Sequence, residues 1–180
     1  MRLRSLVAQD EALFCSLYCD RDTMRFVGPP LSPQAATRWF RDLLAPGGGR
    51  QPLLLAMEER TGGRLGLCGV TCWVPDARHL EVGILLLAEA RARGFAREGM
   101  TALLRWLFET TAVDEIRVEF SAECAAVRRL NERIGFAPCA IGGGRAGSGR
   151  LTWSVGRASW GRVEKGDGND GRNRSAGSSG

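Results

Sequence analysis

The sequence predicts a mixed α/β fold of the α+β class: one domain with a mixed central sheet and helices on both faces. Three observations predict it. Both structural periods occur in one chain, since Met100, Leu103, Leu104, Leu107 and Phe108 recur at helical spacing while Ile116-Arg117-Val118-Glu119-Phe120 alternates. The elements follow in the order βααβββαβαββ, without a strict βαβ repeat. A chain of 180 residues that is 44% hydrophobic is long enough for one sizeable core and too short to divide comfortably into two.

Leu3 to Leu6 reads as a short strand and Gln9 to Tyr18 as a helix with Asp10 in its first turn. Ser32-Pro33 supplies an N-cap serine and a first-turn proline to a second helix. Its apolar face is Ala36, Trp39, Phe40, Leu43 and Leu44, and it is expected to end near Gly47. Leu53 to Met57 and Leu65 to Trp73 read as strands joined across Thr61-Gly62-Gly63, and His79 to Leu87 as a third. A long helix follows from Gly94 to Phe108, then the strand Ile116 to Phe120 and a helix from about Ala125 to Ile134. Gly135 is a good residue to stop that helix, Phe136 opens another strand, and Leu151 to Val155 forms the last. Gly142 to Gly149 reads as a flexible hairpin connection, because no helical pattern follows it. The domain is expected to span residues 1–160, and 161–180, rich in Gly, Ser and Asn, to be a disordered tail.

The formal net charge is +5, and Lys165 is the single lysine, so 24 of the 25 basic residues are arginine. That balance favours acidic partners, yet the arginines are spread along the chain among acids, so a solvated surface accounts for most of them and nucleic acid is not the expected partner. The six cysteines, at 15, 19, 68, 72, 124 and 139, show no Cys-x-x-Cys spacing and are expected to be reduced thiols. A zinc set drawn from Cys15, Cys19, Cys68, Cys72 and His79 is set aside, since these residues suit small core positions better, and no metal is expected. The apolar runs fall short of the roughly 20 residues of a membrane span, and Met1-Arg2-Leu3-Arg4 lacks a signal-peptide core. A cytoplasmic protein without a membrane partner is expected.

Chemistry concentrates between Glu81 and Ala96, where a strand runs into an Arg- and Gly-containing turn that opens a helix. The first N–H groups of a helix lack intrahelical partners and carry partial positive charge, so a pyrophosphate is bound there by geometry that already exists. In Arg91-Ala92-Arg93-Gly94-Phe95-Ala96-Arg97, Gly94 permits close approach, Ala96 keeps the turn small, and Arg91, Arg93 and Arg97 add charge.

The segment Glu81 to Met100 resembles the GNAT acetyltransferase superfamily, in particular its RimJ/RimL-like branch, which acetylates α-amino groups. The opening Leu3-Arg4-Ser5-Leu6 with Asp10, the stretch Asp22 to Gly28 before Ser32-Pro33, Val127 to Phe136, and the closing strand Trp153 to Trp160 are similar to the same branch. The resemblance covers roughly residues 1–160. It implies transfer of acetyl from acetyl-CoA, as cosubstrate, to a primary amine by direct attack in a ternary complex. The acceptor would be a protein N-terminal α-amine, an amino acid or a small amine, and the protein a monomer or homodimer. A non-catalytic acyl-CoA-binding or regulatory domain is the alternative.

By the same resemblance a splayed central strand, Ile84 to Leu87, would pair its free backbone groups with the pantetheine arm. Leu85 and Leu86 would lie beside the cofactor, and the Leu86 amide would act as an oxyanion donor worth roughly 3 kcal/mol. Glu81 is the candidate base that accepts the amine's proton, or else a surface carboxylate paired with an arginine. Cofactor contacts are expected from Arg91 to Arg97 and from Cys124 and Arg129, with a solvated face as the alternative for Arg128, Arg129 and Arg133. Met24, Arg25, Phe26 and Trp39 are the acceptor-side candidates.

The sequence also departs from the family. Asn131 stands where many members carry a tyrosine, four residues before the Gly-Phe pair, that protonates the leaving thiolate. Cys124 and Val127 replace an asparagine and a serine at the start of the late helix, and Ala88 and Ala92 replace a proline and a glycine. Cys124 has no base in its local sequence and reads as a helix-entry residue, not a nucleophile. His79, the one histidine, reads as a loop residue, and Tyr18 as packing.

Overall fold

The computed structural model describes residues 1–45, 52–72, 79–139 and 149–160. β1 is Arg2–Ser5, β2 Leu53–Glu58, β3 Arg64–Cys72, β4 His79–Leu86, β5 Glu115–Ser121, β6 Ala137–Pro138 and β7 Arg150–Gly156. The helices are α1 Glu11–Tyr18, α2 Arg21–Met24, α3 Pro33–Leu44, α4 Phe95–Thr110 and α5 Ala125–Ile134. The strands form one seven-stranded sheet in the order β1-β2-β3-β4-β5-β7-β6. Its pairings are antiparallel except β4 with β5, so the sheet is mixed and has helices on both faces, as expected.

Several boundaries differ from the sequence reading, each for a local reason. The first helix opens with a 3-10 turn, Ala8–Asp10, because the Asp10 carboxylate accepts from Val7 N (3.0 Å) and holds the chain in a tight turn. α2 is an extra element, started by Asp20, whose carboxylate accepts from the Thr23 amide (2.7 Å) and hydroxyl (2.6 Å). Four residues are too few to display a period. α3 ends at Leu44, short of Gly47. Phe136 is buried just before β6, and the closing strand stops at Gly156, where Ser159 Oγ accepts the Gly156 amide (3.1 Å) and residues 157–160 turn helical. The expected end of β3 at Trp73, the stretch 142–148 and the tail 161–180 lie outside the described residues.

One face of the sheet packs Met57, Val70, Leu80, Val82 and Ile116 against Met100, Leu103, Leu104 and Leu107 of α4 and Ile134 of α5. The other packs Leu54, Ala56 and Leu67 against Leu13, Phe14 and Leu17 of α1 and Ala36 and Phe40 of α3. Two bulges in β3 set the exposure of each strand. Leu65 is skipped between the pairs Met57↔Gly66 and Glu58↔Arg64, and Thr71 is skipped between Val70↔Val82 and Cys72↔Glu81.

α1 is fastened to the sheet edge by Arg4. Its guanidinium donates to both oxygens of Asp10 (2.6 and 2.8 Å) and, through Nε, to Glu58 (2.7 Å), which also accepts from Arg2 (2.9 Å). Asp10 is fully buried, so its charge depends on this fork. Hydrogen bonds from Arg4 hold the Asp10 carboxyl below its ordinary 3.8, and those from Arg4 and Arg2 hold Glu58 below 4.5. Both groups have depressed folded-state values, so the stability they add is present above about pH 4 and is lost as pH falls through those values. Arg4→Met leaves a buried carboxylate without its cation and is expected to lower the unfolding free energy by about 3 kcal/mol near neutral pH. Urea titrations of the two proteins should converge below pH 4; a constant gap down to pH 3 would contradict this account.

Candidate functional site

β4 and β5 pair for only three residues, His79↔Glu115, Leu80↔Ile116 and Glu81↔Arg117. Beyond Glu81, β4 stays with β3 through Leu86 while β5 stays with β7, and the strands part. The gap holds a cavity of about 310 Å³. Glu81 to Leu85 and Val118 to Ser121 form its flanks. Tyr18 of α1, with Phe26, Val27 and Thr71, closes it on one side of the sheet, and Met100 of α4 with Cys124, Val127, Leu130 and Asn131 of α5 closes it on the other. The gap therefore connects the two faces.

The register decides which backbone groups face it. Leu86 lies opposite Gly66, and the Leu87 amide donates to Leu65 O (2.9 Å), so Leu86 occupies a widely spaced pair. In such a pair a residue's own N–H and C=O point away from the partner strand. Those of Ile84 and Leu86 are thus turned from β3 toward the gap. The Leu86 carbonyl accepts from Arg91 Nε (3.2 Å).

Glu81 sits where the strands diverge. The bulge brings Thr71 beside it, and the Thr71 hydroxyl lies 3.2 Å from Glu81 Oε1 and 3.3 Å from its carbonyl. Among the described residues no arginine pairs with Glu81. A second carboxylate of the lining, Glu119, is held by Arg150 Nε, and Arg150 also donates to Phe26 O (3.3 Å). Arg91 donates to Thr23 Oγ1 (2.6 Å). Two arginines thus pin the segment around α2 over the mouth of the cavity.

The turn after β4 leads into α4 without a side-chain cap. Gly94 precedes the helix at φ +86°, and its carbonyl takes the first helical bond from Glu98 N (3.1 Å). The amides of Phe95, Ala96 and Arg97 belong to the first turn and have no intrahelical acceptor. Ala92 is also left-handed, at φ +58°, the only such non-glycine among the described residues. Arg93 pairs with Glu59 (2.9 Å) and lies over the Phe95 ring (4.8 Å), and Arg97 is exposed.

Of the residues singled out from sequence, Glu81, Leu85, Phe26 and Cys124 line the cavity, Leu86 borders it through its backbone, and residues 91–97 form the turn and helix start beyond it. The others do not join them. Met24 is buried, Arg25 is exposed over the Phe26 ring (5.0 Å), Trp39 packs edge-on against Phe14 and Tyr18, and Arg129 is exposed on α5. Tyr18 both packs, 4.4 Å from the Phe14 ring, and lines the cavity, where burial pushes its hydroxyl up to about 12. Thr71, Glu119 and Arg150 were not singled out: a bulge and a cross-strand ion pair leave no mark in the sequence. Among the described residues no three His, Cys, Asp or Glu side chains cluster as metal donors, and no helix is long and apolar enough to cross a membrane.

The sequence profile of the acetyltransferase (GNAT) domain matches residues 1–137. No curated protein matches the chain. Among solved structures, a spermidine N-acetyltransferase from Vibrio cholerae in complex with CoA and spermine superposes with a TM-score of 0.76 at 18% identity, over 88% of this chain and 96% of that one. An acetyltransferase from Agrobacterium tumefaciens str. C58 gives 0.70 at 24% identity, over 85% and 88%. A GCN5-related N-acetyltransferase from Brucella melitensis gives 0.72 at 20%, over 91% and 79%.

The left-handed alanine carries a testable strain. That conformation disfavours alanine by about 1 kcal/mol, partly offset on replacement by the freedom glycine adds to the unfolded chain. Ala92→Gly is expected to raise the unfolding free energy by about 0.5 kcal/mol, and Ala92→Val to lower it by about 1 kcal/mol. The reverse order in urea titrations would mean that residue 92 is not left-handed in solution.

Proposed function

The chain belongs to the GNAT acetyltransferase family, and from that premise we propose that it moves acetyl from acetyl-CoA to a primary amine by direct attack in a ternary complex. The observation that carries the proposal is the gap between β4 and β5, which has a carboxylate at its apex and opens to both faces of the sheet. The residues present fit acetyl-CoA. The start of α4, which has no side-chain cap, offers amides without an intrahelical acceptor to a pyrophosphate, and the gap-facing backbone groups of Ile84 and the Leu86 amide offer a strand-like partner to an extended amide chain. When bound, acetyl-CoA supplies the acetyl group as an activated thioester.

Each residue then has a task. Amides from Arg93 to Ala96 hold phosphate, with Arg91, Arg93 and Arg97 adding charge, and Ala92 shapes the turn. Leu85 and Cys124 wall the pantetheine path, and Arg129 lies on the exposed face of α5, within the solvent that a 3′-phosphate would share. The Leu86 amide donates to the carbonyl oxygen as negative charge grows there. Glu81 takes the proton that the ammonium must lose before its nitrogen attacks, and Thr71 fixes the carboxylate's direction.

The acceptor enters on the side of Tyr18, Phe26 and Glu119, a mouth with two carboxylates and two aromatic rings. Glu119 is paired with Arg150, so Glu81 and the two rings are what support a cationic amine. Met24, Arg25 and Trp39 shape it from behind. Within the family, a RimJ/RimL-like enzyme acting on an α-amine, an amino acid or a small amine such as a polyamine is the assignment we favour.

Calorimetry is expected to detect binding of acetyl-CoA and CoA and no salt-sensitive binding of RNA. Absence of CoA binding would end the proposal. Thiol release over a panel of polyamines, amino acids and N-terminal peptides should then find an acceptor, and Glu81→Gln should lower kcat/KM on it by at least about 100-fold. CoA binding with no turnover across the panel would instead establish a non-catalytic acyl-CoA sensor.

A further inference from the structure

β4 alternates its side chains across the sheet. Leu80, Val82 and Leu86 join the core against α4, so Glu81, Gly83 and Leu85 face the side of α1 and α3, where Leu85 packs. Gly83 therefore stands next to the apical carboxylate on the acceptor's side of the sheet, and it lines the cavity. It is paired with Gly69 of β3, and the two glycines leave the sheet bare over that pair. Thr71 and Glu81 bound the bare patch at one end, Leu67 and Leu85 bound it at the other, and Leu54, opposite Gly69, bounds it on the β2 side.

A glycine inside a strand weakens it, and it is retained where another backbone or a ligand comes close. Gly69 has the first reason, since a Cβ there would lie 1.9 Å from Leu53 O. Gly83 does not. Its backbone is ordinary strand, outside the left-handed region. Among the described residues, a Cβ built on it would meet one atom within 4 Å beyond its chain neighbours, the Thr71 Cγ2 methyl at 3.2 Å. The fold does not require the missing side chain, and the space it leaves opens into the cavity.

The lining says what that space takes. Leu54, Leu67, Leu85 and the ring of Tyr18 surround the cavity beyond the patch and offer it no charge. Among the described residues of the lining the cation is Arg150, which is committed to Glu119 and to Phe26 O. A carboxylate on the carbon that bears the reacting nitrogen would lie beside Glu81 with no cation to meet it, whereas methylenes there would bury apolar surface.

Resting on the acetyl-transfer reading, we propose that Gly83 is the specificity-determining position for the acceptor: its missing side chain admits the carbon chain next to the reacting nitrogen, and the acceptor is a primary amine on an unbranched methylene chain, not an α-amino acid. The nitrogen stays at Glu81, and the chain runs over Gly83 toward Leu85 and Leu54.

The test measures acetyl transfer to ethylamine, propylamine, butylamine and pentylamine, and to norleucine, which is pentylamine with a carboxylate on the carbon that bears the nitrogen. In wild type, kcat/KM is expected to rise about fourfold with each added methylene, and norleucine is expected to be at least about 100-fold poorer than pentylamine. An added Cβ at 83 presses on the Thr71 methyl, and Thr71 aligns Glu81, so the substitution is read against Thr71→Ser, which keeps the hydroxyl and removes the methyl. Thr71→Ser/Gly83→Ala is expected to flatten the rise to less than about twofold per methylene, through KM for the amine. It is expected to melt no lower than Thr71→Ser, because alanine suits a strand interior better than glycine. A rise that survives in the double variant, or a melting temperature below that of Thr71→Ser, would overturn the role of Gly83. Wild type that binds no CoA, or binds it and acetylates neither amines nor amino acids, removes the acetyl-transfer reading and this one with it; wild type that acetylates norleucine better than pentylamine keeps that reading and removes this one.

Discussion

The architecture around the site follows from one constraint: β4 cannot pair with β5 beyond Glu81. β3 keeps β4 through an unbroken antiparallel ladder from Val82 to Leu86, and β7 keeps β5 from Glu115 to Ser121, so each inner strand follows its outer partner. Three parallel pairs at the apex join two otherwise independent half-sheets. Cross-strand ladders are hard to break once formed, and twist drives the unpaired ends apart. Backbone groups that would be satisfied in a closed sheet are left facing a cavity, which is tolerable only where a polar ligand can take their place. The carboxylate at the apex, the helix start beyond the strand's end, and the aromatic mouth all derive their placement from this fork.

Arginine reads differently once its partners are known. A positive balance suggests acidic ligands, yet Arg4, Arg91, Arg150 and Arg157 spend their guanidinium groups on the protein itself. Arg157 donates to the carbonyls of Phe108, Thr111 (2.7 Å) and Val113 (2.8 Å), closing the C-terminal end of α4, and it lies 5.3 Å over the Phe108 ring. A planar fork with five donors can satisfy several carbonyls and a carboxylate at once, which an ammonium cannot. The near-absence of lysine is therefore consistent with a scaffold stitched by arginine. It says little about partners.

What the sequence made legible was whatever repeats. The apolar spacing of α4, the alternation in β5 and the Ser32-Pro33 and Gly135 punctuation each occupy enough residues to leave a pattern, and the structure has those elements. What stayed hidden was single and relational. α2 depends on one aspartate folding back on Thr23, the bulge at Thr71 depends on a register shift between two strands, and the Glu119–Arg150 pair joins residues 31 apart. Asn131 is the instructive case, since the sequence shows it only as a departure from the family's tyrosine, and the burial of its Nδ2 without a hydrogen-bond partner depends on how α5 packs over the gap.

Local misfits cluster around the fork and are scarce elsewhere among the described residues. Ala92 is left-handed, the first turn of α4 is uncapped, Asn131 lacks a partner, and Ile84 and Leu86 turn backbone groups to the gap. A sequence optimised for folding alone would have glycine at 92 and leucine at 131. They are spread over β4, α4, α5 and the turn between β4 and α4, and they are brought together by the parting of β4 and β5. A chain that tolerates these separable misfits at one place, while fastening α1, α2 and the end of α4 with bridging arginines, is arranged so that stability is supplied by the periphery and the centre is left to be completed by what binds there.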